Sequence, residues 1–192
     1  MNQFTIRPAR REDAPLIARG IVMALHDEIA VGFAGSRERL PLVDRLFTEL
    51  AASHSAQYSY LNTLVAEAPD GKVAGILVAY DGARLHELRE AFVAKANEIL
   101  GTRFVNEEMD NETSDDEVYL DSLAVFPEYR GHNLGAKLIE AMAERHAGAG
   151  KPLGLLCEQG YDHLYRLYTS LGFKDAGRRP FAGTEMLHLL RQ

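Results

Sequence analysis

Residues 117–157 hold the pattern that most restricts how this chain can fold. Glu117 to Phe126 reads as a strand, with Val118, Leu120 and Phe126 apolar at even positions and Glu117, Tyr119 and Asp121 on the opposite face. A glycine-bearing turn at Arg130 to Gly135 leads into a helix marked by Leu134, Leu138, Ile139 and Met142, which Gly148-Ala149-Gly150 and Lys151-Pro152 break. Leu153 to Cys157 is a short apolar strand. Strand, helix and strand at these lengths form a βαβ unit, so the two strands are expected to be parallel neighbours with a right-handed crossover. Upstream, Leu61 to Ala68 and Val73 to Tyr80 flank Pro69-Asp70-Gly71, the residues of a tight turn, and predict an antiparallel hairpin near the centre of the sheet. A mixed sheet follows from the two units together.

The remaining segments clothe that sheet. Phe4 to Pro8 is a short strand. Asp13 stands as the N-cap of a helix with Pro15 in its first turn and Ile17, Ile21, Ala24, Leu25 and Ile29 on one face. After a Gly32 to Ser36 loop, Leu40, Val43, Phe47 and Leu50 mark a second helix. Leu85, Leu88, Phe92, Ala96, Ile99 and Leu100 mark a third, stopped by Gly101, and the acid-rich Thr102 to Asp116 is expected to be a loop that buries little. Leu164, Leu167, Tyr168 and Leu171 mark a last helix ended by Gly172, with Phe173 to Gly177 and Glu185 to Leu190 as closing strands. The expectation is one α/β (α+β) domain over residues 1–192: a mixed, mostly antiparallel sheet of six or seven strands flanked by helices, with a helical and acidic segment before the fourth strand.

Composition removes several function classes. Hydrophobic residues make up 46% and charged residues 26% of the 192, the balance of a globular domain. A net charge of −7 argues against nucleic acid as a partner and favours cationic small molecules or peptides. No apolar run reaches the roughly 20 residues of a membrane span, and the opening MNQFTIRPARRED lacks a secretory signal's apolar core, so no membrane partner and a cytoplasmic location are expected. The sequon Asn111-Glu112-Thr113 is then idle. A single cysteine, Cys157, forms no internal disulfide and reads as core. His26, His54, His86, His146, His163 and His188 show no metal-ligand spacing, so no metal is expected. Phosphate-loop lysine, nucleophile-elbow and dinucleotide motifs are missing.

The run Leu123 to Gly135 delivers a strand into a turn at a helix N-terminus, where backbone N–H groups and the helix dipole attract an anion such as a pyrophosphate, with Arg130 adding fixed charge. A plain strand-to-helix connection fits the same residues. Arg130-Gly131-His132-Asn133-Leu134-Gly135 resembles the signature of the GNAT superfamily of acyl-CoA-dependent N-acetyltransferases, Arg/Gln-x-x-Gly-x-Gly/Ala, with Asn133 where the middle glycine is usual. Asparagine is the residue other than glycine that best tolerates left-handed backbone angles. Leu167-Tyr168-Thr169-Ser170-Leu171-Gly172-Phe173 is similar to the family's Leu-Tyr-x-x-x-Gly-Phe segment, and Phe4 to Ala9 with Glu12-Asp13 to its opening strand and helix. Two departures stand out: Tyr161 replaces an asparagine common before the tyrosine, and Gly82 to Asp116 exceeds the usual connection, which points to a substrate region particular to this protein.

The resemblance implies acetyl-CoA as acyl donor, its pyrophosphate held by the backbone of Gly131, His132, Asn133, Leu134 and Gly135 beside Arg130. Its pantetheine arm would run along Leu123, Ala124 and Val125. It further implies a small-molecule or peptide amine acceptor, and dimers are common in the family, so a homodimer is among the expected states. Attack on a thioester needs a deprotonated amine, a donor for the oxyanion and a proton for the departing thiolate. Val125 N–H is the implied oxyanion donor and Tyr168 the proton donor; the alternative for Tyr168 is a packed aromatic. Asp121 and Glu117 are the candidate bases or ammonium ligands, each alternatively a solvated edge charge. The acids between 107 and 116 read as solvated loop or as a lid gathering cations. His132 is expected to face solvent. Two rival readings use the same features: a non-catalytic acyl-CoA-binding or regulatory module, and a protein-interaction domain acting through residues 107–116.

Overall fold

The computed structural model describes residues 3–192, without the side chains of residues 26–28. Its strands are β1 (Thr5–Pro8), β2 (Thr63–Glu67), β3 (Val73–Asp81), β4 (Val118–Val125), β5 (Leu153–Cys157), β6 (Lys174–Phe181) and β7 (Thr184–Arg191). Helices α1 (Ala14–Ala34), α2 (Leu40–Ala51), α3 (Leu85–Leu100), α4 (Leu134–His146) and α5 (Asp162–Ser170) connect them. The strands form one sheet in the order β1-β2-β3-β4-β5-β7-β6, with β4 and β5 parallel and every other pair antiparallel. This is the mixed, mostly antiparallel architecture expected, with seven strands. The β2–β3 hairpin forms, but the middle of the sheet is β4. No described helix is long and apolar enough to cross a membrane.

Two cores lie on opposite faces. Ile17 and Ile21 of α1, Phe47 of α2 and Phe92 of α3 pack with Ile76, Val78, Ala124 and Phe126 on one face; Leu134, Leu138 and Met142 of α4 pack with Leu77, Leu120 and Leu155 on the other. Helix α1 runs through Gly32 and ends at Gly35, whose φ of 80° supplies the left-handed stop, so the expected Gly32 to Ser36 loop is shorter. Asp13 stands at the cap position of α1 without a side-chain cap bond. Its carboxylate instead takes Arg7 Nη1 at 2.7 Å and Arg10 N–H at 2.7 Å, tying β1 to the helix start.

A bulge in β4 organises everything that follows. Ser122 faces Val78 and Leu120 faces Ala79, which leaves Asp121 as an extra residue with no partner on β3. The extra residue reverses the alternation: Val118 and Leu120 lie in the α4-side core, whereas Ala124 and Phe126 lie in the opposite one. The even-position reading of residues 117–126 is therefore corrected at its far end, because a two-residue period cannot cross a bulge unchanged. The parallel pairing of β4 with β5 is limited to Val118 with Leu153 and Tyr119 with Gly154. Beyond Tyr119 the strands part.

The insertion is not a solvated loop throughout. Asn106, Glu112 and Thr113 are buried, so the expectation that Thr102 to Asp116 buries little is overturned for these residues. They are buried because partners are waiting: the Asn106 amide donates to His86 O at 2.8 Å, and Thr113 Oγ1 donates to Glu117 Oε1 at 2.7 Å. The segment is seated against the end of β3, where a Cβ on Gly82 would collide with the Ser114 carbonyl oxygen and lie 2.6 Å from Thr113 Oγ1. Gly82→Ala is therefore expected to destabilise the fold by about 1–3 kcal/mol and to speed proteolysis within 101–117. Urea unfolding checks the first and limited proteolysis the second; an unchanged unfolding midpoint would contradict the close seating.

Candidate active site

Where β4 and β5 diverge they leave a cleft of about 610 Å³, floored by the start of α4 and walled by α1 and α5. Phe126 N–H donates to Ala74 O at 2.9 Å, so Phe126 bonds toward β3. Alternation along an antiparallel ladder then turns the N–H and C=O of Val125 and Leu123 away from β3 and into the gap. Arg130 Nε, reaching Val125 O at 3.4 Å, comes from that open side.

At the cleft floor the turn has the backbone expected of it. Gly131 has φ 82°, and Asn133 takes φ 57° and ψ 29°, the left-handed region that asparagine tolerates. Asn133 stands at the cap position, yet no side chain caps α4, and the first helical bond is Lys137 N–H to Asn133 O at 3.2 Å. The N–H groups of the first turn are thus offered to a ligand, with the positive end of a 13-residue helix behind them. Leu123, Ala124, Val125, Arg130, Gly131, Asn133, Leu134 and Gly135 all line the cleft. His132 does not: it is exposed, with its ring 4.9 Å from that of Phe4.

Tyr168 projects from α5 into the same cleft, its ring 5.9 Å from Phe173 and edge-on to it. Burial, and secondarily the neighbouring Cys157, pushes its phenol up, so it holds its proton at neutral pH. Cys157 is buried as expected for core, but it also lines the cleft, and burial raises its thiol as well.

The two carboxylates read together in the sequence are separated by the fold. Glu117 is 1% exposed and outside the cleft lining, lying across β5 where Gly154 has no side chain to obstruct it. His188 Nε2 at 2.7 Å, Thr113 Oγ1 at 2.7 Å and Ser114 N–H at 3.0 Å surround it, which makes it a fastener between the insertion, β5 and β7. Asp121, released from the ladder by the bulge, lines the cleft with Tyr119. It accepts from Ser122 Oγ at 2.7 Å and from the Tyr80 hydroxyl at 3.1 Å. Burial first, and then the Glu112 carboxylate, push its pKa up to about 7, against the lowering effect of those hydroxyls and of Arg89.

Sequence reasoning missed the partners of Asp121. Tyr80 reaches Glu112 Oε1 at 3.0 Å with the same hydroxyl, and Glu112 is ion-paired with Arg89, itself 1% exposed. Tyr58 lines the cleft beside them, its phenol raised by burial and by Asp121 and Glu112. The available signal was weak: an arginine on the apolar stripe of the third helix, one position past Leu88, with an acid-rich segment following it.

The chain matches the family described as acetyltransferase (GNAT) domain over residues 60–175. It belongs to the GNAT acetyltransferase family. A crystal structure of an acetyltransferase shares 30% identity over 98% of each chain with a TM-score of 0.77. An N-acetyltransferase from Staphylococcus aureus Mu50 shares 22% identity over 97% of this chain and 99% of its own, with a TM-score of 0.76. The N-acetylglutamate synthase from Neisseria gonorrhoeae, solved with coenzyme A and L-arginine, is 18% identical, covering 98% of this chain and 33% of its own at a TM-score of 0.55. No curated protein matches the sequence significantly.

The raised Asp121 carries a stability signature. Its folded pKa, about 7, exceeds the ordinary 3.8, so its contribution is full below about pH 4 and is lost as pH rises through 7. Asp121→Asn, which never ionises, is expected to raise the melting temperature relative to wild type by more at pH 8 than at pH 5. Thermal melts at the two pH values check this, and an equal difference at both contradicts the raised carboxyl.

Proposed function

We propose that the protein transfers the acetyl group of acetyl-CoA directly to the nitrogen of a primary amine carried by a small molecule or peptide. The observation that carries this reading is that an uncapped helix N-terminus, a carboxyl with a pKa near neutrality and a protonated phenol open into one cleft. In this reading the first-turn N–H groups of α4 with Gly131, Asn133 and Arg130 hold the pyrophosphate, and the outward main chain of Leu123 and Val125 pairs with the pantetheine amides. His132, exposed beside Phe4, contributes only its backbone.

The residues then divide the proton traffic. Asp121, its pKa raised to about 7, takes a proton from the ammonium of the acceptor and frees the nitrogen lone pair. As the new C–N bond forms, Val125 N–H faces the oxygen on which negative charge gathers. Tyr168 O–H gives its proton to the sulfur as the C–S bond breaks, and the phenolate is made good, through solvent, by the second proton that the nitrogen sheds on becoming an amide. Glu117 takes no part, being occupied by its own partners. Met23, Leu25 and Ile29 of α1 with Phe181 and Met186 add apolar side chains to the cleft lining, which suits an ammonium borne on an apolar body.

Purified protein incubated with acetyl-CoA and an amine panel should release CoA. Tyr168→Phe and Asp121→Asn are each expected to lower kcat by about 10²-fold or more while acetyl-CoA affinity by calorimetry stays within about twofold. Binding without turnover across the panel would favour the non-catalytic acyl-CoA module, and no acetyl-CoA binding at all would overturn both.

A further inference from the structure

The segment between α3 and β4 delivers a second carboxylate to the cleft. Glu112 Oε1 and Asp121 Oδ2 lie 3.0 and 3.1 Å from one Tyr80 hydroxyl, which has a single hydrogen to give. We infer that Glu112 is a positioning residue for Asp121: held by Arg89, it orients the Asp121 carboxyl and sets its charge through the shared Tyr80 hydroxyl. This deepens the reading of Asp121 as base and rests on it.

The arrangement has two proton-balanced forms. With Asp121 ionised, Tyr80 O–H donates to it, and Glu112 keeps Arg89 and the Gln57 amide at 3.4 Å. When Asp121 receives the acceptor's proton, it donates to the Tyr80 oxygen and Tyr80 turns its hydrogen to Glu112. The negative charge facing Asp121 thus persists, so the proton is received readily and can be passed back to solvent.

The surroundings place Glu112 for this task. Arg89 Nη2 pairs with it and also donates to Asp110 O at 3.0 Å, while Nη1 donates to Asn111 Oδ1 at 3.2 Å, so the residues on its N-terminal side are pinned. An ion pair this deeply buried adds little net stability over apolar residues of similar volume, which leaves stability a weak reason for its presence. Among the described side chains, the charged and titratable groups facing Asp121 are Glu112 from the insertion, Arg89 from α3, Tyr80 from β3, Tyr119 from β4 and Tyr58 from the segment before β2. Described α1 residues on that side, Met23, Ala24, Leu25 and Ile29, are apolar.

The test uses opposite signs. In the full-length protein, the ¹³C carboxyl resonance of Asp121, assigned by its loss in Asp121→Asn, is titrated alongside kcat/KM against pH. Glu112→Gln removes the facing charge and should lower the Asp121 midpoint by about one pH unit; Tyr80→Phe removes a donor to the ionised form and should raise it by about half a unit. The acidic limb of kcat/KM should follow each shift, with acetyl-CoA affinity unchanged. A merely structural role would reduce activity and melting temperature without displacing either midpoint. Unmoved midpoints, or shifts of the same sign, overturn the proposal. If Glu112→Gln fails to fold, Tyr80→Phe decides alone, and a midpoint that does not rise overturns it. A displaced resonance with an undisplaced rate profile leaves the coupling standing and overturns the base role of Asp121.

Discussion

One extra residue in the central strand sets the geometry of this protein. Because Asp121 has no partner on β3, β4 twists there and its pairing with β5 stops at Tyr119. A continuous parallel ladder would have closed the space in which the main chain of Leu123 and Val125 is left free. The same residue reverses the faces of the strand beyond it, so that Ala124 and Phe126 reach the α1 side while Leu123 and Val125 border the cleft. Free backbone donors along β4 and a carboxyl released from the sheet are thus consequences of a single irregularity.

Two acids four residues apart, Glu117 just before β4 and Asp121 within it, have opposite fates, and the difference is in their donors. Glu117 meets an imidazole, a hydroxyl and a backbone N–H, enough to settle a buried carboxylate. Asp121 has only two hydroxyls and looks toward another carboxylate, so burial is incompletely compensated and the proton is held to near neutral pH. A group left half-satisfied in this way is poorly suited to holding a fold together and well suited to moving protons.

Much of the architecture was legible because it depends on local periodicity. The βαβ order of residues 117–157, the Pro69-Asp70-Gly71 hairpin and the helix stops at Gly101 and Gly172 all follow from spacing and from backbone conformations that glycine alone favours. The turn before α4 was legible for the same reason, down to the left-handed angles of Asn133. The bulge was not, since Tyr119-Leu120-Asp121-Ser122 carries no glycine or other mark of an inserted residue. The burial of Glu112 was equally hidden, because an acid among acids reads as solvated until Arg89 and Tyr80, 23 and 32 residues away in sequence, are brought to it.

The sequence by itself therefore determined the order and kind of the elements, the family, and the loop suited to a phosphate, all properties encoded within a dozen or so neighbouring residues. Tertiary structure alone decided which acid faces the cleft and which is buried as a fastener. Protonation depends on the dielectric and on charges within a few ångströms, and those neighbours come from segments that only the folded chain brings together.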